Sequence, residues 1–366
     1  MRVLIAGGGT AGHVFPALAL ARRLTADGAE VGFVGTARGQ EARLVPAAGF
    51  PFEAVDARPF VRAVSLEALR APIAAIRSVR ACAPLVETAD VVVGMGGYVS
   101  VPAALAALRG RRPLVLHEQN AVPGLANRAL AVPARAVALS FPEAARLLPR
   151  RTRTVVTGNP VREQVVAVRA ERERLAKEAR SELGLEDDRR TVVVFGGSLG
   201  AQHVNRATVE ALTRLRDRDD LQVLILTGPA HAEAVARDVP GGAALRVRIL
   251  PFLDRIELAY AVADLVVCRA GATTVAEIAV CGLPAVLVPY PHATARHQEA
   301  NARALQRAGA ALVIMDHALT GDLLAGRITE LLADRGRLRV MGARAHAWAR
   351  PDAAEQLAQV VLEARR

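Results

Sequence analysis

The sequence predicts an α/β protein built from two doubly wound, Rossmann-like parallel-sheet domains facing each other across a cleft. Three observations carry this. Short apolar runs alternate with helix-like segments along the chain. A strand–glycine loop–helix unit opens each half, as "RVLIAGGGTAGH" at 2–13 and "TVVVFGGSLGAQHVN" at 191–205. And one phrase is written twice, "ADVVVGMGGYVSVP" at 89–102 and "ADLVVCRAGATTVA" at 263–276, 174 residues apart in a chain of 366.

The elements follow in order. Residues 2–6 read as a buried strand, and a helix is expected from about 14 to 26. "EVGFVG" is a second strand, and the runs at 90–94, 113–117, 135–140 and 153–157 read as four more. Continuous apolar strands alternating with helices imply a parallel sheet covered on both faces. Residues 162–190 are charged and helix-prone, and read as a connecting helix and linker. The pattern then restarts with "TVVVF", "LQVLILTG", "LRVRILPFL", "ADLVVCRAG" and "LPAVLVPY". The closing "PDAAEQLAQVVLEARR" is an amphipathic helix after Pro351, with Asp352 at its positive end.

Composition narrows the class. Hydrophobic residues make up 52% and charged residues 23%, which suits a folded α/β chain rather than a disordered one. The uncharged stretch 91–108 contains Gly94, Gly96, Gly97 and Pro102, so it reads as strand, bend and helix rather than a membrane span. The start lacks the pattern of a signal peptide. Cys82, Cys268 and Cys281 form no C-x-x-C pair and read as small core residues in a reducing compartment. Residues 1–161 carry 19 Lys and Arg against 10 Asp and Glu, which is +9 of the total +11. That bias points to an anionic partner. Aromatics are only 3%, too few for base-stacking platforms, so no nucleic acid is expected.

The glycine loops locate the chemistry. In such sheets ligands sit beyond the C-terminal strand ends, where free N–H groups and a helix dipole favour an anion. "GGGTAG" contains Gly7-x-Gly9-x-x-Gly12, but the next strand ends "GFVGTA" without the acid that nicotinamide dinucleotides require. No G-x-x-x-x-G-K-[ST] loop is present, which argues against a P-loop ATPase, and turn glycines alone do not explain His13 at the helix start. In the second half, Gly271, Thr273 and Thr274 stand at a helix start, with Glu277 about one turn in. A carboxylate there suits two ribose hydroxyls or serves as a dipole acid. No D-x-D follows a strand; Asp217 and Asp219 read as solvated charges.

"GGGTAGHVFPALALA", "GMGGYVSVPAALAA", "LHEQNAVPGLANR", "TGNPVR", "GGSLGAQHVN", "CRAGATTVAEIAVCGLPAVLVPYPHA" and "HQEANA" together resemble the MurG family of bacterial glycosyltransferases. Ala11 stands where the first family motif has glycine. The resemblance implies a glycosyltransferase-B fold. It implies inverting transfer of N-acetylglucosamine from UDP-N-acetylglucosamine to the muramoyl 4-hydroxyl of lipid I, giving lipid II, without cofactor or obligatory metal. It implies an acceptor domain at 1–161 completed by a returning helix at 346–366, and a donor domain at 162–345. Donor contacts carry over to Thr10, Ala11, Gly12, Asn120, Arg162, Ser198, Leu253, Ala272, Thr273, Thr274, Val275, Ala276, Glu277 and Gln298, with Arg269 beside them. Gly12, Gly96, Gly97, Tyr98 and Asn127 would face the acceptor. His13 and Glu118 are rival candidates for the general base. The acceptor's lipid tail implies a peripheral protein on the cytoplasmic face of the membrane. "SLEALRAPIAAIRSVR" at 65–80, where Arg70, Arg77 and Arg80 sit among apolar residues, is the candidate for docking on an anionic surface or for packing on the sheet. Other two-domain UDP-sugar enzymes and a non-catalytic sugar-nucleotide binder remain as alternatives; "HEQN" and "GMGGY" favour the transferase.

Overall fold

The computed structural model describes residues 1–56, 66–197, 201–242 and 244–365. Among these, two compact units separate: Met1–Arg162 with Arg350–Arg366, and Glu163–Ala349.

The first unit holds a seven-stranded sheet. Its strands are β1 (Arg2–Ala6), β2 (Glu30–Gly35), β3 (Phe52–Ala54), β4 (Val91–Gly94), β5 (Leu114–Glu118), β6 (Ala136–Leu139) and β7 (Thr154–Val156). They lie in the order β3-β2-β1-β4-β5-β6-β7, all parallel. Alternation sends side chains to two cores. Val3, Ile5, Val91 and Val93 pack with Leu20 and Leu24 of the helix Ala11–Ala26 and with Leu357 and Val361 of the helix Ala353–Ala364. Leu4, Ala6, Val92 and Leu116 pack on the opposite face with Cys82, Val86 and Ala103. Both faces are buried, which is why these strands read as unbroken apolar runs.

The second unit repeats the plan with β8 (Arg190–Phe195), β9 (Leu221–Leu226), β10 (Arg246–Leu250), β11 (Leu265–Cys268), β12 (Ala285–Leu287) and β13 (Ala311–Val313). The order is β10-β9-β8-β11-β12-β13, again all parallel. Val192, Val194, Leu265 and Val267 meet Val204 and Leu212 of the helix Gln202–Arg214 and Leu324 and Ile328 of the helix Gly321–Ala333.

In each sheet the strand order reverses at one place, between β1 and β4 and between β8 and β11. The repeated phrase supplies β4 and β11. It therefore forms one wall of the switch point in both units, where ligands of this fold class bind. Its aspartate has a structural task. The Asp90 carboxylate accepts the Arg2 N–H at 2.8 Å, and the Asp264 carboxylate accepts the Thr191 N–H at 2.8 Å. The backbone bond runs the other way in each pair, from Asp90 N to Arg2 O and from Asp264 N to Thr191 O. Each aspartate thus closes the open end of the first strand of its own sheet.

Two expectations are corrected. Of the charged segment read as a connecting helix and linker at 162–190, Arg162 ends the first unit and residues 163–190 are part of the second. Its helix Arg172–Leu183 buries Leu175, Ala176, Ala179 and Leu183, and Arg172 donates to the carbonyls of Ala261 and Ala263 at 3.2 and 2.5 Å. The first helix begins at Ala11 rather than near 14. Ala11 lies outside the left-handed region, which among described non-glycine residues is occupied by Arg111, Ala295 and Arg296. Alanine therefore fits this position without backbone strain.

Candidate active site

In the first unit three loops converge at the β1–β4 switch point. Thr10 caps the helix Ala11–Ala26 with extended backbone, and its Oγ1 lies 3.0 Å from His13 Nδ1 rather than on a helix N–H. Gly96 and Gly97, after β4, adopt φ of +90° and +73°. A Cβ on Gly96 would stand 3.4 Å from His13 Cδ2 and 3.6 Å from Nε2, so the glycine is needed both for its backbone and for the ring beside it. Tyr98 lies over Gly9, its Cε1 3.8 Å from where a Cβ would be, and is itself partly exposed. The structure thus gathers Thr10, Gly12, His13, Gly96, Gly97 and Tyr98 at one sheet edge.

Glu118 sits behind this edge, 3% exposed. Its Oε1 accepts from Asn120 N at 2.9 Å and Asn120 Nδ2 at 3.5 Å; its Oε2 accepts from Gly124 N at 3.0 Å and Asn127 Nδ2 at 2.8 Å. Burial pushes this carboxyl above its ordinary range, against the pull of those donors. All four of these hydrogen bonds tie the carboxylate to the loop 118–127. Asn127, 4% exposed, also donates to His117 O at 3.2 Å and is part of the same frame.

Two residues of this unit escaped sequence reasoning. Glu41, 1% exposed, accepts from Gly9 N at 2.7 Å and from Thr36 N and Oγ1 at 2.9 and 2.7 Å. A Cβ on Gly8 would lie 2.1 Å from its carboxylate carbon, so the glycine run makes room for a buried acid. Gly9's N–H is therefore committed to Glu41 and is not one of the free amides expected at this strand end. His117 is fully buried, with Nε2 3.1 Å from Gly158 O and 3.3 Å from Ser140 Oγ. Burial lowers its pKa to about 4, with Gly158 opposing and the nearby His13 charge adding to the fall. Arg162 places its guanidinium 4.2 Å over the Phe15 ring.

In the second unit the loop after β11 is held from three sides. Arg269, 8% exposed, donates to Val288 O and Pro289 O at 3.2 Å each and to Asp316 Oδ1 at 2.5 Å. Asp316 also meets His203 Nδ1 at 3.0 Å. Gln298 Oε1 accepts from Ala270 N at 3.2 Å and Tyr290 N at 3.0 Å, and Asn301 donates to Ala270 O at 3.2 Å. Gln298 and Asn301 stand three residues apart on the helix His297–Arg307, a spacing that faces one way. The helix Ala272–Cys281 starts here, and its cap Gly271 supplies no side chain to the first amides. Thr273, Thr274 and Ala276 are half-buried around that start, whereas Val275 is fully buried and its side chain belongs to the core. Ala272 is 7% exposed and is the first residue of that helix. Glu277 is 6% exposed and accepts from the Tyr260 hydroxyl at 2.9 Å. Leu253, half-buried, lies between β10 and the helix Ile256–Val262. Ser198 lies outside the described residues. Of the expected donor contacts, Thr10, Ala11, Gly12, Asn120 and Arg162 are in the first unit and the others in the second.

The chain is similar to known proteins over nearly its whole length. Residues 3–139 match the glycosyltransferase family 28 N-terminal domain, and residues 191–357 match the family's C-terminal domain. A protein of Syntrophotalea carbinolica is 45% identical over 98% of both chains, and one of Moorella thermoacetica is 44% identical over 99% of both. Both carry the name UDP-N-acetylglucosamine–N-acetylmuramyl-(pentapeptide) pyrophosphoryl-undecaprenol N-acetylglucosamine transferase. The chain belongs to glycosyltransferase family 28, with that family's two-sheet, glycosyltransferase-B architecture. Within it, it falls in the MurG group: the crystal structure of Acinetobacter baumannii MurG superposes with a TM-score of 0.78 at 32% identity, covering 99% of both chains. A UDP-N-acetylglucosamine 2-epimerase from Neisseria meningitidis shares the fold, with a TM-score of 0.69 at 12% identity.

Proposed function

We propose that this enzyme transfers N-acetylglucosamine from UDP-N-acetylglucosamine to the muramoyl 4-hydroxyl of lipid I, forming lipid II at the cytoplasmic face of the membrane. The observation that carries this reading is the end-to-end match to relatives named for that transfer.

The chemistry is a single inverting displacement. The 4-hydroxyl oxygen forms a bond to the anomeric carbon, its proton passes to a base, and the carbon–oxygen bond to the diphosphate breaks as UDP leaves with the electron pair. His13 is the base. With Nδ1–H donating to the Thr10 hydroxyl, the basic lone pair lies on Nε2, next to Gly96 and Gly97. Glu118 acts as the anchor of the 118–127 loop. In the second unit the start of the helix Ala272–Cys281 directs its amides and positive dipole end at the diphosphate, with Arg269 on the loop before it. Ser198, outside the described residues, is kept as a donor contact on the family motif alone. Glu277 takes the ribose hydroxyls and the Leu253 backbone the uracil edge. Asn120, Arg162 and the loop Thr10–Gly12 complete the donor contacts, and Tyr98 and Asn127 the acceptor side.

The lipid acceptor calls for peripheral membrane attachment. Among the described residues no helix is long and apolar enough to cross a membrane. Ile76 is 54% exposed on the helix Leu66–Glu87, next to the exposed Arg77 and one turn before the exposed Arg80, while Ser78 is buried. Leu66, Leu69, Arg70 and Ile73 of the docking candidate have side chains outside the described set. An exposed apolar residue beside two exposed arginines, together with the +9 charge of residues 1–161, suits an anionic leaflet.

The test is transfer of labelled N-acetylglucosamine to a lipid I analogue, with and without chelator. A β-linked disaccharide product formed equally in chelator supports the reading. Hydrolysis or epimerisation of the donor without transfer contradicts it.

A further inference from the structure

Tyr260 lies 17 residues before Glu277 and on a different helix, Ile256–Val262. It is 1% exposed. Its ring leans on Phe195, the last residue of β8, with centroids 6.1 Å apart and planes at 60°. Its hydroxyl donates to Glu277 Oε2 at 2.9 Å. The helix that carries it is itself fixed, because Arg172 binds the carbonyls of Ala261 and Ala263 just beyond. Burial, followed by the charge of Glu277, pushes the Tyr260 hydroxyl well above its ordinary pKa, so it stays a donor. The same carboxylate raises the thiols of Cys268 and Cys281, second to burial in each, which places it among groups that remain neutral. A phenol in a core needs only one partner, and leucine or phenylalanine would fill the space without needing any. Here the partner is the one acid at the donor helix.

We propose that Tyr260 is the positioning residue of the nucleotide's ribose subsite: its hydroxyl fixes the plane of the Glu277 carboxylate so that it meets both ribose hydroxyls without further ordering. The proposal rests on the reading of Glu277 as the ribose acceptor. A carboxylate held in place before the ligand arrives loses less rotamer freedom on binding. A site built to bond hydroxyls also rejects a sugar that lacks them, so the pair sets the preference for ribose.

The test is calorimetric binding of two probes, UDP and 2′,3′-dideoxy-UDP, to the full chain and to Tyr260→Phe, Glu277→Gln and the double variant. Thermal melting of each variant checks that it is folded. Tyr260→Phe is expected to weaken UDP about tenfold and the dideoxy probe less than about twofold, with the double variant no weaker than Glu277→Gln. Equal losses for both probes, or none for UDP, overturn the proposal, since a packing role cannot tell the two sugars apart. If Glu277→Gln itself fails to narrow the gap between UDP and dideoxy-UDP, the ribose reading falls and Tyr260's role with it. The donor KM of Tyr260→Phe should rise with little change in kcat. A fall in kcat at unchanged KM would also contradict it.

Discussion

His117 and Glu118 are neighbours on β5 with opposite duties: the imidazole pins the turn at Gly158, and the carboxylate holds the loop to Asn127. The His117 pKa of about 4, against an ordinary 6.5, makes the folded chain the poorer proton acceptor. As pH falls below 6.5 the unfolded chain binds the proton first, so stability is lost down to about pH 4. From that shift the loss is about 3 kcal/mol, and a His117→Asn variant should flatten the curve of denaturation midpoint against pH over that window. His13→Ala should lower kcat about a hundredfold with the melting temperature preserved, whereas Glu118→Gln should damage acceptor KM and stability together. Steady-state kinetics across pH separates the two, and near-normal turnover of His13→Ala would remove it as the base. Glu41→Gln turns an acceptor oxygen into an NH2 group against Gly9 or Thr36, and should lower kcat/KM for the acceptor about tenfold while UDP affinity holds.

Among the elements, β4 and β11 matter most, because the repeated phrase puts them at the two switch points. Asp264→Ala leaves the Thr191 amide without its carboxylate and should cost the second unit about 1–2 kcal/mol in chemical denaturation, with kcat unchanged. The central strands were legible because burial on both faces writes continuous Val, Leu and Ile runs, as in "TVVVF" and "LQVLIL". The edge strands β3 and β13 were not. Each has three residues: "FEA" is interrupted by a glutamate and incompletely buried, and "ALV" lies in the apolar run 310–315 but pairs over only three residues with β12, too short a stretch for its sequence to separate strand from helix end. The same division runs through the site. His13, Thr273 and Glu277 sit on strand–loop–helix turns whose glycines announce them. Glu41, Tyr260 and Asp316 act through partners 32, 17 and 47 residues away, a relation that exists only once the sheet is formed.

For the whole molecule, the charge bias and the lipid acceptor lead to one expectation: the enzyme should sediment with vesicles containing anionic lipid, more weakly as salt is raised and not with neutral vesicles. Sedimentation indifferent to anionic lipid would remove the electrostatic part of membrane docking. The two units each carry a switch-point loop with a helix start, the second proposed for the nucleotide-sugar and the first for the lipid diphosphate. Crystallography with bound UDP-N-acetylglucosamine tests that assignment most directly. The diphosphate should lie on the amides of Ala272–Thr274, with the ribose on Glu277. A diphosphate seated on the Gly7–Gly12 loop beside His13 would contradict it.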